Sequence, residues 1–293
     1  MRIRIWGARA SIPTPATADF CTTRYGGNTS CVSVSIPGAL AILDAGSGIR
    51  HLGLALDALR PMRASFFFSH LHWDHIQGFP FFAPLYQEGN AFDLYGSHPG
   101  ATDALQRALS VQQDAIYFPV GLEQIPAQLT FHDLVSEKSV ELAGRAARLV
   151  ITPFALNHPG SCFGIRVEEY VAEERSAVAV YATDTEPFES GELQLSEAAQ
   201  GADVLIHDAQ YAPEEYDGRN GINHKGWGHS TWKEALREAE AASVKRLLLT
   251  HHDPQRTDDQ LDTVLNNVRR AAASMHIDPE AVSMAREGME VSL

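Results

Sequence analysis

Cysteine is scarce in this chain. The 293 residues include only Cys21, Cys31 and Cys162, an odd number in which no two share the C-x-x-C spacing. This excludes a small disulfide-stabilised domain, and a chain of this length can bury a sizeable core without such crosslinks. We therefore interpret the cysteines as reduced thiols and expect a cytoplasmic protein.

Positive charge is also in deficit. The chain has 23 Lys+Arg against 37 Asp+Glu, a formal net charge of −14. A protein that follows a nucleic acid over many phosphates needs Lys and Arg to neutralise them, so we expect no extended nucleic-acid partner. A small anionic ligand fits this composition only where a local cation offsets the negative field.

Long apolar runs are missing as well. The longest, such as Ala64 to Phe68, fall far short of the roughly 20 residues that a membrane helix needs. The segment Met1 to Trp6 alternates Arg and Ile as a strand does, and lacks the continuous apolar core of a signal peptide. The sequence therefore predicts neither membrane insertion nor export.

The patterns that are present indicate strands alternating with helices. A helix is predicted over Ile49 to Leu59 and another over Ala101 to Gln112, and capping boxes at Thr231 and Thr257 predict two more. No repeat or linker divides the chain, so we expect one α/β domain over residues 1–293. The predicted strands are Ile3 to Trp6, Cys31 to Ile36, Leu40 to Leu43, Ala64 to Ser69, Arg148 to Phe154, Phe163 to Glu168, Ala177 to Ala182 and Met289 to Leu293.

The most informative segment is an H-x-H-x-D-H motif that follows an apolar strand. On an extended chain His70 and His72 project to the same side, because the side-chain period is two. Asp74 and His75 can face a second point if the chain turns there. A lone histidine beside a strand would be interpreted as a surface residue, but four donors in six positions favour a site for two zinc, manganese or iron ions.

Further donors follow other apolar runs. They are His158, Asp184 and the pair His251-His252. In layered α/β folds ligand sites gather where strands end and loops begin. A single metal centre fed by several strand ends is the simplest explanation.

With these motifs in this order, the chain resembles the metallo-β-lactamase fold superfamily over essentially its whole length. The resemblance implies a single metallo-hydrolase domain built as a four-layer αββα sandwich. It also implies two divalent cations, zinc first, with manganese or iron as alternatives. In the pair His251-His252 either residue could be the last ligand, and we favour His251 because it comes first after the strand. The implied ligands are His70, His72 and His158 for one cation, Asp74, His75 and His251 for the other, and Asp184 as the bridge.

The turn after Leu40 to Leu43 carries a second family element. Asp44-Ala45-Gly46 resembles the D-x-G turn whose aspartate would hydrogen-bond a ligating histidine and fix its orientation. From the residues alone, an aspartate that only caps the turn before Gly46 is equally plausible.

The reaction is indicated by His229, which lies just before the helix predicted at Thr231. Helix N-termini favour phosphate, and a histidine there could protonate a departing alkoxide. The element resembles that of ribonuclease Z-like phosphodiesterases, in which His229 corresponds to the general acid. The alternative is that His229 only packs on Trp227 or Trp232.

Other candidates are less specific. His207 and Asp208 resemble the same branch and are predicted to support the ligands from behind, although a buried hydrogen-bond network would look the same. Aromatic faces can stack on any base, although core or dimer contact is the expected role of at least half of the aromatic side chains considered. The candidate substrate contacts are Phe79, Tyr117, Phe118 and Ser230.

Together these features predict a dinuclear metal-dependent phosphoric diester hydrolase with Asp74 and His229 as catalytic residues. The expected substrate is a cyclic nucleotide, cyclic dinucleotide or cyclic ribose phosphate, attacked by a hydroxide held between the cations. A lactone, β-lactam or thioester hydrolase on the same scaffold, or a non-catalytic metal-dependent nucleotide-binding protein, are the alternatives. A homodimer is expected from the resemblance.

Overall fold

The structure is a computed structural model that describes residues 1–56, 61–188, 194–219, 221–275 and 277–293. Within these ranges runs of strands are separated by helices. The strands are β1 (Arg2–Gly7), β2 (Cys31–Ile36), β3 (Ala39–Leu43), β4 (Arg63–Phe67), β5 (Ala91–Tyr95), β6 (Gln128–His132), β7 (Val140–Ala143), β8 (Arg148–Leu156), β9 (Cys162–Val171), β10 (Glu174–Ala182), β11 (Val204–Asp208), β12 (Leu247–Thr250), β13 (Val282–Met284) and β14 (Glu290–Ser292). The helices are α1 (Ile49–Leu56), α2 (Trp73–Ile76), α3 (Ala104–Gln112), α4 (Gln194–Ala198), α5 (Pro213–Tyr216), α6 (Trp232–Ala241) and α7 (Asp258–Ser274).

The strands form two sheets with the same pattern of pairing. The first has the order β14-β1-β2-β3-β4-β5-β6, antiparallel from β14 to β3 and parallel from β3 to β6. The second has the order β13-β12-β11-β10-β9-β8-β7, antiparallel from β7 to β10 and parallel from β10 to β13. The two halves of the chain therefore share a topology, although the sequence shows no repeat.

Three apolar clusters define the layers. The central cluster combines side chains of both sheets, such as Ile5 and Phe67 with Ile165 and Ile206. A second cluster joins β4 and β5 to helices α1 and α3, and a third joins β10 to β12 to helices α4, α6 and α7. Sheets packed face to face with helices outside each are a four-layer αββα sandwich, so the predicted fold class is confirmed.

Most predicted elements agree with the structure within a few residues. Helix α1 is described as far as Leu56, and the predicted end at Leu59 lies outside the described residues. Thr257 caps α7 with a complete capping box, as predicted. At α6, Thr231 accepts from the Glu234 backbone, but the Glu234 carboxylate pairs with Arg237 and the reciprocal half of the predicted box is missing. None of the helices in the described ranges is long and apolar enough to cross a bilayer.

Candidate metal centre

The predicted donors come together at the carboxyl ends of β4, β8, β10 and β12. One group brings a donor atom from each of His70, His72, His158 and Asp184 within 4.8 Å of one another. A second group does the same for Asp74, His75, Asp184 and His251. Seven residues from distant parts of the chain thus form two neighbouring sets of imidazoles and carboxylates.

Asp184 lies between the two groups. Its Oδ2 is 3.5 Å from His70 Nε2 and 3.9 Å from His158 Nε2. Its Oδ1 is 3.3 Å from His75 Nε2 and 3.2 Å from His251 Nε2. Because the two oxygens face different histidines, one carboxylate can serve two cations.

The donor set fits divalent cations. The buried Nε2 atoms of His70 and His75 have no hydrogen-bond partner among the described residues, which is costly unless another group meets them. Burial raises the pKa of Asp74 and of Asp184, but the surrounding histidines outweigh it and hold both below their ordinary values. Imidazoles and ionised carboxylates that converge in this way are ligands that zinc, manganese and iron accept.

Backbone conformation helps to place these side chains. Asp44, Asp184 and His251 follow β3, β10 and β12, and have φ values of 59°, 54° and 59°. A left-handed conformation is unfavourable for a non-glycine residue, and such strain clusters at functional sites. Here it turns the side chains of Asp184 and His251 towards the converging donors, and that of Asp44 towards His75 behind them.

The same turn separates the two adjacent histidines after β12. His251 Nε2 lies 3.2 Å from Asp74 Oδ2, inside the second group. His252 points away and its Nε2 donates to the Ala285 carbonyl at 2.7 Å. Burial lowers the pKa of His252 to about 3, so this imidazole is a neutral structural donor. His251 therefore lies among the converging donors, and His252 does not.

Asp44 lies behind the second group. Its Oδ2 accepts from His75 Nδ1 at 2.8 Å, which leaves His75 Nε2 as the nitrogen that faces Asp74 and Asp184. The carboxylate also accepts from the Ser69 backbone and hydroxyl and from the Tyr181 hydroxyl, at 2.7, 2.9 and 2.8 Å. Of the two roles that the sequence left open, the contact with His75 matches the orienting one.

His229 stands at the edge of the same cluster. Its Nδ1 is 2.9 Å from Asp208 Oδ2, and its ring lies 4.9 Å from the ring of His251 and 5.3 Å from that of His158. Burial lowers the pKa of His229, but the Asp208 carboxylate outweighs it and raises the pKa to about 9. A proton held on this imidazole would be directed at the cleft.

Other predicted residues lie elsewhere. His207 is buried on the opposite face of β11, where it lines a small cavity with Glu234 and Glu238. Ser230 is buried and its hydroxyl donates to the Thr185 carbonyl at 2.6 Å. Neither contacts the two groups of donors in the described structure.

The three aromatic candidates for substrate contact differ in how far they are exposed. Phe79 is fully buried, with its ring 5.9 Å from that of Phe66 and 6.4 Å from that of Phe68, so its predicted substrate contact is wrong: it is a core residue. Tyr117 is 69% exposed, and Phe118 is half-buried against Phe81. Apolar spacing alone does not separate a core face from a cleft face, which explains the error.

Sequence reasoning missed several supporting groups. The Ser11 backbone donates to Asp74 Oδ2 at 2.8 Å, and Tyr181 donates to Asp44. Glu186 accepts from the backbone just before His229. These contacts join residues 40 or more positions apart, and no local pattern marks them.

The family follows from a comparison with known proteins. The model of the beta-lactamase superfamily domain matches residues 42–252, which contain all of the converging donors. The chain belongs to this superfamily.

Individual proteins also resemble the chain, in sequence or in structure, over nearly its whole length. Ribonuclease Z of Synechococcus sp. (strain CC9311) is 26% identical over 100% of this chain and 99% of that protein. Among solved structures, the metallo-beta-lactamase fold protein YhfI of Bacillus subtilis has a TM-score of 0.67 at 20% identity, covering 99% of this chain and 98% of the other. A diphosphatase of the PhnP family has a TM-score of 0.66 at 20% identity, covering 100% and 97%. The chain is thus similar in sequence to ribonuclease Z and in fold to a diphosphatase of the PhnP family.

Proposed function

We propose that this protein is a metal-dependent phosphoric diester hydrolase of the ribonuclease Z-like branch, and that it acts on a small phosphodiester: a cyclic nucleotide, a cyclic dinucleotide or a cyclic ribose phosphate. The observation that carries the proposal is the His229–Asp208 pair, which is fixed at 2.9 Å beside the two groups of donors. A lactone or thioester hydrolase has less need of a cationic imidazole there. In those reactions the cations alone can stabilise the leaving group or the negative charge that develops.

The proposed ligands are those that converge in the structure. When bound, the two cations, zinc first and manganese or iron as alternatives, supply Lewis-acid activation of water and offset the charge of the phosphoryl oxygens. The proposed sets are His70, His72 and His158 for one cation, Asp74, His75 and His251 for the other, and Asp184 for both.

His229 is the proposed general acid. Its Nδ1–H donates to Asp208, so the free Nε2 is the atom that would give its proton to the departing oxygen. Asp208 is itself held, since its Oδ1 accepts from the Gln210 backbone at 2.9 Å. Asp74, fixed by the Ser11 backbone, is the second proposed catalytic residue, and it acts as a carboxylate at the reacting centre.

Two exposed indoles support a substrate that carries a base. Trp73 is 68% exposed and follows His72, and Trp227 is 52% exposed and precedes Gly228, whose carbonyl accepts from His158 Nδ1. His72 Nδ1 and His158 Nε2 are 3.1 Å apart, so both indoles belong to segments that meet at the same histidines. Flat aromatic faces beside a phosphate site suit stacking on a nucleobase.

Substrate size separates this proposal from the named activity of the ribonuclease Z relatives. The net charge of −14 supports a small diester rather than a long RNA. The deciding experiment compares 3′,5′-cyclic and 2′,3′-cyclic nucleotides, a cyclic dinucleotide, a 1,2-cyclic ribose phosphate, a tRNA precursor, a lactone and a thioester. We expect turnover of a small diester, and higher kcat/KM on the tRNA precursor or the lactone would contradict the proposal.

The role of His229 has its own test. His229→Ala should keep the metal content but slow an alkyl diester about 10²-fold or more, because the alkoxide needs a proton. A 4-nitrophenyl diester, with a good leaving group, should be slowed much less. Equal slowing of both substrates would argue against the acid role.

We also propose that residues 1–293 form one metallo-hydrolase domain, that the protein is cytoplasmic, and that it forms a homodimer. An apolar surface formed by Phe81, Ile116 and Tyr117, which are 56%, 83% and 69% exposed, supports self-association. Light scattering after gel filtration measures the oligomeric state directly, and a monomer at micromolar concentration would contradict the homodimer.

A further inference from the structure

One buried carboxylate outside the proposed ligand set contacts the loop that carries His229. Glu186 is 9% exposed and lies two residues after Asp184. Its Oε1 accepts from the Gly226 backbone at 2.7 Å, and its Oε2 accepts from the Gly228 backbone at 2.9 Å. Its backbone also donates to the Asn157 carbonyl at 2.8 Å, so Glu186 joins the segments on either side of the cleft.

The loop held by Glu186 supports two groups of the site. The Gly228 carbonyl accepts from His158 Nδ1 at 2.8 Å and so leaves His158 Nε2 facing Asp184. Gly228 has a φ of 86°, and a Cβ there would lie 2.2 Å from His158 Nδ1. Only glycine allows this close approach, and the next residue is His229. A shift of Gly228 would therefore displace both imidazoles.

Outside the segment held by Glu186, the loop is attached on one side by His224, which donates to the Glu215 carbonyl at 2.9 Å, and on the other by the His229–Asp208 pair. Ile222 and Trp227 are 67% and 52% exposed, and Gly226 adopts a φ of 83°. The Trp227 backbone donates to the His224 carbonyl, which keeps the loop folded on itself. Exposed, glycine-rich segments open easily, so a charge-assisted pair of hydrogen bonds from a buried carboxylate has a large effect on their position.

We propose that Glu186 is a positioning residue: through Gly226 and Gly228 it sets the orientation of His158 and His229 without touching substrate. The inference rests on the proposed function for its effect on turnover, but not for its effect on the loop or on metal binding. It is specific for a carboxylate. A glutamine in the same place would direct an NH2 donor at one of the two backbone N–H groups and leave that group without an acceptor.

The test compares Glu186→Gln with Tyr216→Phe. The Tyr216 hydroxyl donates to the same Oε1 at 2.6 Å but belongs to α5, so the control removes one bond to the carboxylate without freeing the loop. Hydrogen–deuterium exchange of residues 221–231 in the metal-free protein reports loop opening. Competition with a chelator reports the affinity for zinc, and hydrolysis of an alkyl diester, whose leaving group needs the proton of His229, separates kcat from KM.

In Glu186→Gln we expect the backbone amides of the loop, and no others, to exchange about tenfold faster. We also expect the zinc held by the set that contains His158 to bind about tenfold more weakly, which is typical when a group that orients a ligand is lost. We expect kcat to fall with little change in KM, and Tyr216→Phe to behave as wild type. Wild-type loop exchange and zinc affinity in Glu186→Gln would overturn the proposal. So would an unfolded variant or faster exchange in every strand, because either would show a general structural role. If the wild type hydrolysed no diester, the proposed function would fail while the exchange and zinc measurements still decided the role of Glu186.

Discussion

Asp44→Asn isolates how much the metal centre depends on the carboxylate behind His75. Asp44 is 1% exposed and accepts four hydrogen bonds, from His75 Nδ1, the Ser69 backbone, the Ser69 hydroxyl and the Tyr181 hydroxyl. Asparagine can keep one acceptor for the Ser69 backbone, which leaves its NH2 where Oδ2 stood. The two hydroxyls can rotate and accept instead, but the His75 N–H cannot.

The magnitude follows from that one unpaired donor. To relieve the clash, His75 must move its proton to Nε2, the nitrogen that lies 3.3 Å from Asp184 Oδ1 and faces the proposed cation. A hydrogen bond to a charged group contributes about 1.5–3 kcal/mol, and each 1.4 kcal/mol is a factor of ten in binding. We therefore expect zinc bound by the set that contains His75 to weaken roughly 10- to 100-fold, the range typical of such partners.

The assay is zinc titration against a chelator, with a thermal melt of the metal-free protein to verify folding. The matched control is Asp93→Asn, because Asp93 Oδ1 pairs with His132 Nε2 at 2.9 Å on the surface, away from the donors. This carboxylate–histidine pair should have no effect on zinc affinity. Unchanged affinity in Asp44→Asn, or an equal loss in Asp93→Asn, would refute the reasoning.

Three further expectations follow from the same structure. Trp73→Ala and Trp227→Ala should raise KM for a cyclic nucleotide several-fold, since stacking contributes about 1–3 kcal/mol per base. Both variants should leave KM for a cyclic ribose phosphate, which has no base, unchanged. Equal effects on both substrates would exclude base stacking. His251→Ala should lose about one zinc per chain by elemental analysis, whereas His252→Ala should lower the Tm but keep the zinc, and the reverse would assign the ligand to His252. Burial and Glu234 raise the pKa of Glu238 from 4.5 to about 7, so the fold favours the protonated acid and loses stability as pH rises from about 4.5 to 7. Glu238→Gln should therefore raise the Tm at pH 8 but not at pH 4, and an equal gain at both values would show that titration is not the cause.

Local sequence patterns predicted the strand ends that carry the converging donors better than they predicted several outer strands of the two sheets. An apolar strand followed at once by His70 or Asp184 is a local pattern, and each such pattern marked a true strand end. The strands β5, β6, β7 and β13 were not predicted, because three to five residues of partly buried alternation do not differ from a loop without the neighbouring strands. The orientations of Phe79 and Glu186 depend on segments distant in the chain, and no composition or spacing encodes them locally.

Charge explains how an acidic protein would bind the proposed anionic diester at this edge of the sandwich. Asp44, Asp74, Asp184 and Asp208 are at most 7% exposed and together carry a formal charge of −4, a buried charge that positive groups must offset. The two divalent cations of the proposed function would contribute +4, so −4 + 4 would leave the cluster neutral. A protonated His229 imidazole would then give the cleft a net positive charge that suits a phosphate. The strain at the three left-handed residues, of order 1–3 kcal/mol each, is concentrated at the same edge, where ligation of the proposed cations would offset it.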